Sequence, residues 1–284
     1  MIKEYANAKI NLFLDVTSVR EDGFHNIKSI MQSVSLCDTL FVSTTESDRT
    51  EIVIKSDAEN LPLDENNLIY VSAKKYLEYF AINAKIEITL QKQIPIGAGL
   101  GGGSADAAAT LRALNKIFGR ASRDELLSLA AKIGSDVPFC LVGGTALCEG
   151  KGEIMTPISF DGEMYLVIAI GKERVSTPQA YRALDELNNF VFTPDPRGDL
   201  LFRDMSCGKL SVDNFYNIFE DVTNLPEIQK IKEILIKNGA EFAMMSGSGP
   251  SVFGVFADRQ SACFAAEKLT SEGFSAFCAN GETV

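Results

Sequence analysis

Ile94-Pro-Ile-Gly-Ala-Gly-Leu-Gly-Gly-Gly-Ser104 is the stretch on which the reading of this chain turns. Five of the seven residues from 97 to 103 are glycine. Such density makes ordering the chain costly and supplies no side chains, so it persists where backbone must turn tightly or approach something closely. Directly after it comes Ala105 to Phe118, rich in alanine, the residue with the highest helix propensity. The spacing predicts a helix opening at about Ser104. The first amides of a helix lack intrahelical partners and lie at the positive end of its macrodipole, so a glycine loop feeding a helix is a ready anion site. Phosphate is the natural guest.

Three known glycine-loop schemes fail on the letters. Gly97-x-Gly99-x-x-Gly102 has the spacing of a dinucleotide fingerprint, but Pro95 interrupts the entering strand. About 20 residues on, Ser122 to Glu125 opens a helix where that scheme needs the end of a second strand. A Walker A loop needs a lysine before its Ser or Thr, whereas Gly102 is followed by Gly103-Ser104. The HRD and DFG motifs of a protein kinase are absent. What remains is a loop that opens straight into a helix, with its cation supplied from elsewhere.

Composition narrows the rest. The chain has 284 residues, 46% of them hydrophobic and 23% charged, the balance of a globular protein. Its net charge of −11 argues against a basic face for nucleic acid. His25 is the only histidine, which excludes an HExxH pair, a zinc finger or a multi-histidine cage. The six cysteines (Cys37, Cys140, Cys148, Cys207, Cys263, Cys278) form no CxxC pair, and several have apolar neighbours. They read as buried reduced thiols, which suits a cytoplasmic protein. Glu4 and Asn7 precede a short apolar stretch, unlike a signal peptide, and no apolar run approaches the ~20 residues of a membrane helix. The expectation is a soluble protein with no membrane partner.

Strands are expected over Tyr5 to Val19, Thr39 to Ser43, Glu51 to Ile54 and Lys85 to Leu90, the last alternating Ile86, Ile88 and Leu90. A helix fits Asn67 to Phe80, and another opens at Ser122 with Glu125 three residues on, the pattern of a capping box. Composition shifts after Gly150, which puts an expected domain boundary near residue 155. Beyond it a strand is expected at Tyr165 to Ile170, then a helix from about Pro178 capped by Thr177. Asn188 to Cys207 has little periodicity and reads as a surface excursion. A helix at Pro226 to Asn238, strands at Glu241 to Met245 and Val252 to Phe256, a helix at Arg259 to Glu272 and a strand at Ser275 to Cys278 complete an α+β chain.

Pro95-x-x-x-Gly99-Leu100-Gly101-x-x-Ser104 resembles the phosphate loop of the GHMP kinase superfamily, which takes in galactokinase, homoserine kinase, mevalonate kinase and phosphomevalonate kinase. Further blocks carry the resemblance through most of the chain: Ala6-Asn-Ala-Lys9-Ile-Asn11, Arg20-Glu-Asp-Gly23-Phe24-His25, Gly134-Ser-Asp136-Val-Pro138, Gly143-Gly-Thr-Ala146 and Ser246-Gly-Ser-Gly-Pro-Ser251. They are similar to the branch of that superfamily whose alcohol substrate carries a cytidine diphosphate group and feeds isoprenoid precursors. The implied fold has two domains. Residues 1–155 would be an N-terminal mixed-sheet ATP-binding domain whose glycine loop opens a helix. Residues 156–284 would be a C-terminal ferredoxin-like α/β sandwich.

The implied activity is transfer of a phosphoryl group from ATP, with Mg2+, to the 2-hydroxyl of a diphosphocytidyl-methylerythritol. The alternatives are another GHMP small-alcohol kinase, of homoserine or mevalonate type, or a non-catalytic nucleotide-binding module. The enzyme would be a monomer or homodimer. Pro95, Gly97, Gly99, Leu100, Gly101, Gly102, Gly103 and Ser104 would grip the nucleotide's phosphates. Asn67 stands where the family contacts adenine, although a plain helix cap explains it as well.

Ser135-Asp136-x-Pro138 reads by itself as a helix start, with Asp136 as cap. The resemblance makes Asp136 the base that accepts the substrate hydroxyl's proton. Lys9 sits between Ala8 and Ile10, so partial burial is expected, and burial demands a charge partner. In the family that partner is the catalytic aspartate, which a lysine would keep ionised. Phe24 and His25 would hold the cytosine, with the family's usual tyrosine replaced by Phe24 and its phenol hydroxyl lost. Tyr181 would close on the base from the other side, unless it merely packs in a helix core. Gly247, Ser248 and Gly249 would line the substrate's phosphate-bearing side, Thr177 would be a further substrate-binding residue, and Asn11 would orient the substrate chain. The superfamily often sets a Ser and a Glu around magnesium; Ser104 is present but no acid follows at a recognisable spacing, so the metal ligands stay open.

Overall fold

The computed structural model describes residues 1–173 and 176–283 of the chain. By proximity of their backbones the residues form two compact units. The first takes Met1–Ala8, Leu36–Ile96 and Gly101–Val142; the second takes Lys9–Ser35, Gly97–Leu100 and Gly143–Val284. Two long strands, β1 (Ile2–Val19) and β2 (His25–Glu46), contribute residues to both.

In the first unit, β3 (Glu51–Ser56) and β4 (Ala84–Gln91) extend the sheet in the order β3-β4-β2-β1. β4 runs parallel to β3 and antiparallel to β2, with Ile86 beside Ile52 and Leu90 beside Leu40. The alternation read in 85–90 is the cause: Ile86, Ile88 and Leu90 are buried, together with Leu40 and Val42 of the neighbouring strand. The helices are α1 (Leu68–Tyr79), α2 (Gly102–Phe118), α3 (Arg123–Ala131) and α4 (Val137–Val142). Ser122 and Glu125 close the expected capping box at the start of α3. Arg112 of α2 ties three pieces together, donating to the Glu4 carboxylate and to the carbonyls of Tyr5 and Cys140.

In the second unit β5 (Thr145–Gly150) pairs with the first half of β2, and β6 (Ile154–Ile158) pairs with β5. The strand β6 lies where the sequence showed only a change in composition; it carries Pro157 and has one neighbour, the place in a sheet where proline is tolerated. Next come β7 (Tyr165–Ile170), α5 (Thr177–Leu187), α6 (Arg197–Ser206) and the short β8 (Tyr216–Asn217), which lies parallel to β1. The chain finishes with α7 (Pro226–Lys237), β9 (Phe242–Met245), β10 (Ser251–Phe256), α8 (Arg259–Ser271) and β11 (Ser275–Asn280).

Strands β11-β7-β10-β9 form an antiparallel sheet in that order, which is the ferredoxin-like arrangement. Ile228, Ile231 and Leu235 of α7 and Ala262, Ala265 and Leu269 of α8 join Val167, Ala169 and Val252 in one buried cluster. Each fully buried Val, Ile or Leu side chain of this cluster contributes about 1.5–3 kcal/mol. At Gly254 a Cβ would stand 3.1 Å from Leu235, so the close helix–sheet approach depends on that glycine.

Three sequence expectations are corrected. Residues 188–207 are not wholly an excursion: α6 occupies half of them, with Leu201 and Met205 buried four apart on one face. Helix α2 opens at Gly102, two residues before Ser104, because Gly101 adopts a left-handed φ of 69° that a side chain would resist. The cysteines are not all reduced: Cys263 of α8 and Cys278 of β11 are joined as a disulfide, their Cα atoms 5.2 Å apart. No helix among the described residues is long and apolar enough to cross a membrane.

Candidate active site

The first unit holds the helix end of the glycine loop. Gly101 occupies the cap position of α2 and has no side chain to bond the amides that follow. The first intrahelical bond runs from Ala105 N to Gly101 O at 2.8 Å, so the amides of Gly102, Gly103 and Ser104 stand ahead of it. No acidic residue lies in that first turn to oppose an incoming anion. A Cβ on Gly102 would come within 3.0 Å of Ile94 and 3.1 Å of the Lys92 ammonium, so this turn is pressed against the segment that leads into the loop through Pro95.

Beneath the turn lies an ion cluster that the sequence did not announce. Lys92 Nζ bonds Asp106 of α2 at 2.9 Å and also bonds Asp38 of β2. The other Asp38 oxygen accepts from the amides of Gln93 and Ile94 at 2.6 and 2.8 Å. All three charged side chains are buried. Desolvation pushes the Asp106 carboxyl up to about 7, against the pull of Lys92. The signal in the sequence was a lone Lys92 two residues before Ile94 and an acid inside an alanine-rich helix.

Asn67 caps α1: its carboxamide oxygen accepts from Ile69 N at 2.9 Å, and its nitrogen donates to Pro62 O at 2.6 Å. Its polar atoms are thus bonded within the first unit. Asp136 stands at the start of α4, half-buried, with its carbonyl receiving Cys140 N at 3.0 Å. Its backbone therefore holds the cap position that Ser135-Asp136-x-Pro138 predicted.

The second unit gathers most of the remaining candidates. Lys9 is 5% exposed, as its apolar flanks predicted, and donates to Asn11 Oδ1 at 2.9 Å. Asn11 in turn donates to Ser29 Oγ at 2.8 Å, so its carboxamide links the lysine to β2. The Lys9 amide donates to Leu100 O at 2.9 Å, fixing the glycine loop beside it. The two glycine-rich turns also touch: a Cβ on Gly99 would lie 3.0 Å from Gly249 O and 3.2 Å from Ser246 O, and one on Gly247 would lie 3.3 Å from Gly99 O. Only glycine permits that approach, and Gly97, Gly99, Gly247 and Gly249 all have positive φ. Asn217 of β8, which sequence reasoning passed over, anchors the second turn by donating to Met245 O and Gly247 O, both at 2.8 Å.

Thr177 does not cap α5. Ser176 takes that position without a side-chain bond, and the Thr177 hydroxyl meets Ser248 Oγ at 2.7 Å. One turn further along α5, Tyr181 stacks on His25 with ring centres 4.6 Å apart and planes at 26°. His25 Nε2 is 2.7 Å from Asp185 Oδ1, a partner the sequence did not reveal because 160 residues separate the two. Phe24 is 58% exposed and carries the Lys151 ammonium 4.4 Å above its ring. The Phe24 amide donates to Asp22, and that bond holds the Asp22 carboxyl below its usual range.

Comparison with known proteins follows the same lines. The family profile described as GHMP kinases N terminal domain matches residues 67–144, and the one described as GHMP kinases C terminal matches residues 214–276. The chain is 43% identical to a 4-diphosphocytidyl-2-C-methyl-D-erythritol kinase of Caldicellulosiruptor saccharolyticus, over 93% of this chain and 91% of that one. It is equally similar, at 43%, to the enzyme of that name from Clostridium novyi, over 89% and 90% of the two chains. Among solved structures it resembles a crystal structure of 4-(cytidine 5'-diphospho)-2C-methyl-D-erythritol kinase, with a TM-score of 0.84 and 32% identity, covering 99% of this chain and 100% of that one. A homoserine kinase from Cytophaga hutchinsonii shares the fold at a TM-score of 0.76 and 21% identity, over 99% and 94% of the two chains.

Proposed function

The chain belongs to the 4-diphosphocytidyl-2-C-methyl-D-erythritol kinases, within the GHMP kinases, and from that membership we propose its reaction. It transfers the terminal phosphoryl group of ATP to the 2-hydroxyl of 4-diphosphocytidyl-2-C-methyl-D-erythritol, releasing ADP and the 2-phosphate. The observation that carries the reading is the opening of α2, where the amides of residues 102–104 precede the first helical bond and no acid lies in the first turn.

Phosphoryl transfer offers little covalent work, so positioning and charge stabilisation do most of the catalysis. In this reading the residues of the glycine loop hold the ATP phosphates, and Asp136 takes the proton as the acceptor oxygen attacks. Lys9, held by Asn11, supplies positive charge for the acceptor side. The Ser246–Gly249 turn, braced by Thr177 and Asn217, borders the substrate's phosphates, and the Phe24–His25 turn with Tyr181 receives the cytosine. The first family match falls within 1–155 and the second within 156–284, which supports treating those spans as the ATP-binding and C-terminal domains.

Among the described residues no three acidic, thiol or imidazole side chains converge as metal ligands. Magnesium would enter as the ATP complex, held chiefly by phosphate oxygens, as this ion commonly is.

Asp136→Asn tests the proposal in an ADP-release assay. Turnover should fall at least about a hundredfold, with ATP binding nearly intact. Normal turnover in that variant would remove Asp136 from the role of base. Faster turnover of homoserine or mevalonate than of the cytidylyl alcohol by the unaltered enzyme would overturn the substrate.

A further inference from the structure

A single histidine in 284 residues is held with more care than a surface turn requires. The His25 and Asp185 side chains are 8% and 13% exposed, and their polar atoms meet at 2.7 Å. Tyr181 covers one face of the imidazole, and Phe192 meets it edge-on with ring centres 6.0 Å apart. Tyr181 is itself wedged edge-on against Phe219 at 4.9 Å. Rings on two sides and a carboxylate at one nitrogen fix both the plane of the imidazole and its rotation.

They also fix its chemistry. An ionised carboxylate has only acceptors, so the nitrogen facing Asp185 must carry the proton. A neutral imidazole protonated at Nε2 has a bare lone pair at Nδ1. Among the described residues no hydrogen-bond partner is found for Nδ1. An acceptor held in place discriminates between pyrimidines. Cytosine presents an amine at C4, whereas uracil presents a carbonyl oxygen there. The lone pair would accept a hydrogen bond from the first and repel the second.

We propose that Asp185 is a specificity-determining positioning residue: by bonding His25 Nε2 at 2.7 Å it presents Nδ1 as an acceptor that admits a cytosine base and rejects uracil. The proposal rests on the reading of the substrate as a cytidine diphosphate derivative. Asp185 touches no reacting atom; it acts through His25. A merely structural His–Asp pair would stabilise the fold without distinguishing one base from the other.

Two measurements test it. Because the chain has one histidine, imidazole nitrogen NMR of the untagged protein gives one unambiguous pair of resonances. At neutral pH they should report protonation at Nε2 and a bare Nδ1, and CDP should shift the Nδ1 resonance where UDP does not. An Nδ1-protonated ring would overturn the proposal, and this arm needs no variant. In Asp185→Asn the amide can either accept from Nε2 or donate to it, so the tautomer is no longer dictated. The ratio of CDP to UDP affinity by calorimetry should then shrink by about tenfold or more, while ATP affinity stays unchanged.

An unchanged ratio in a folded Asp185→Asn protein would overturn the role of Asp185. Failure of the unaltered enzyme to phosphorylate the cytidylyl alcohol would instead sink the proposed function, so the two failures are distinguishable.

Discussion

Thr177 and Ser248, 71 positions apart in the chain, bring their hydroxyl oxygens to 2.7 Å. The contact joins the first turn of α5 to the glycine-rich turn after β9, two segments that bear candidate substrate residues. Thr177→Val keeps the shape of the side chain and leaves Ser248 without this partner. A bond of this kind is worth about 0.5–1.5 kcal/mol, so the melting temperature should fall by only a few degrees. The KM for the alcohol substrate should rise severalfold with kcat nearly kept. Steady-state kinetics with an unchanged KM would show that the bond does not shape the substrate side.

Gly99 and Gly119 both have positive φ, at 78° and 61°, yet their surroundings differ. A Cβ at Gly119 meets nothing within 4 Å, whereas one at Gly99 would press on the carbonyls of Gly249 and Ser246. Gly119→Ala should therefore lose only the left-handed penalty, about 1–2 kcal/mol. Gly99→Ala should lose more and should also weaken ATP binding. Chemical denaturation of both proteins checks this, and equal losses would contradict the close approach of the two turns.

Asp106 gives a pH dependence with a definite sign. Its carboxyl titrates at about 7 in the folded chain against 3.8 ordinarily, chiefly because it is desolvated. The folded state then holds a proton that the unfolded state has released. Stability from this group is complete below the ordinary value and declines as pH rises toward about 7. Asp106→Asn cannot lose that proton. Its melting temperature relative to the unaltered protein should therefore climb between pH 5 and pH 8, and a constant difference would refute the shift.

Asn217 is 2% exposed, and its amide nitrogen faces two carbonyl oxygens. Asn217→Asp keeps the size and replaces a donor with an acceptor, setting a buried carboxylate against two acceptors. A loss of more than about 2 kcal/mol is expected, larger than the loss in Asn217→Ala, which removes the donor without adding a charge. Comparable losses in urea unfolding would mean the side chain only fills space.

Local rules reached far into this chain. The alternation of 85–90, the capping box at Ser122 and Glu125, the alanine-rich run after the glycines and the Pro226 helix all became the elements they signalled. These signals lie within a few residues of one another, where propensity, capping and burial on one face act together. The α6 helix escaped because its buried face, Gly198, Leu201 and Met205, has only two large apolar side chains, too short a stripe to stand out among Asp, Arg and Gly. Strand β6 escaped because Pro157 argues against a strand unless one already knows it has a single neighbour.

The letters alone fixed that a glycine loop feeds a helix, that Lys9 is drawn into an apolar strand, and that the last hundred or so residues alternate strand and helix. Each follows from backbone entropy, propensity or hydrophobic spacing. Which polar group finds which partner was decided only in three dimensions: His25 with Asp185, Thr177 with Ser248, Lys92 with Asp106 and Asp38, Cys263 with Cys278. A hydrogen bond or ion pair carries no periodicity along the chain. Its existence depends on two segments meeting within about 3 Å, a distance that only the packed fold sets.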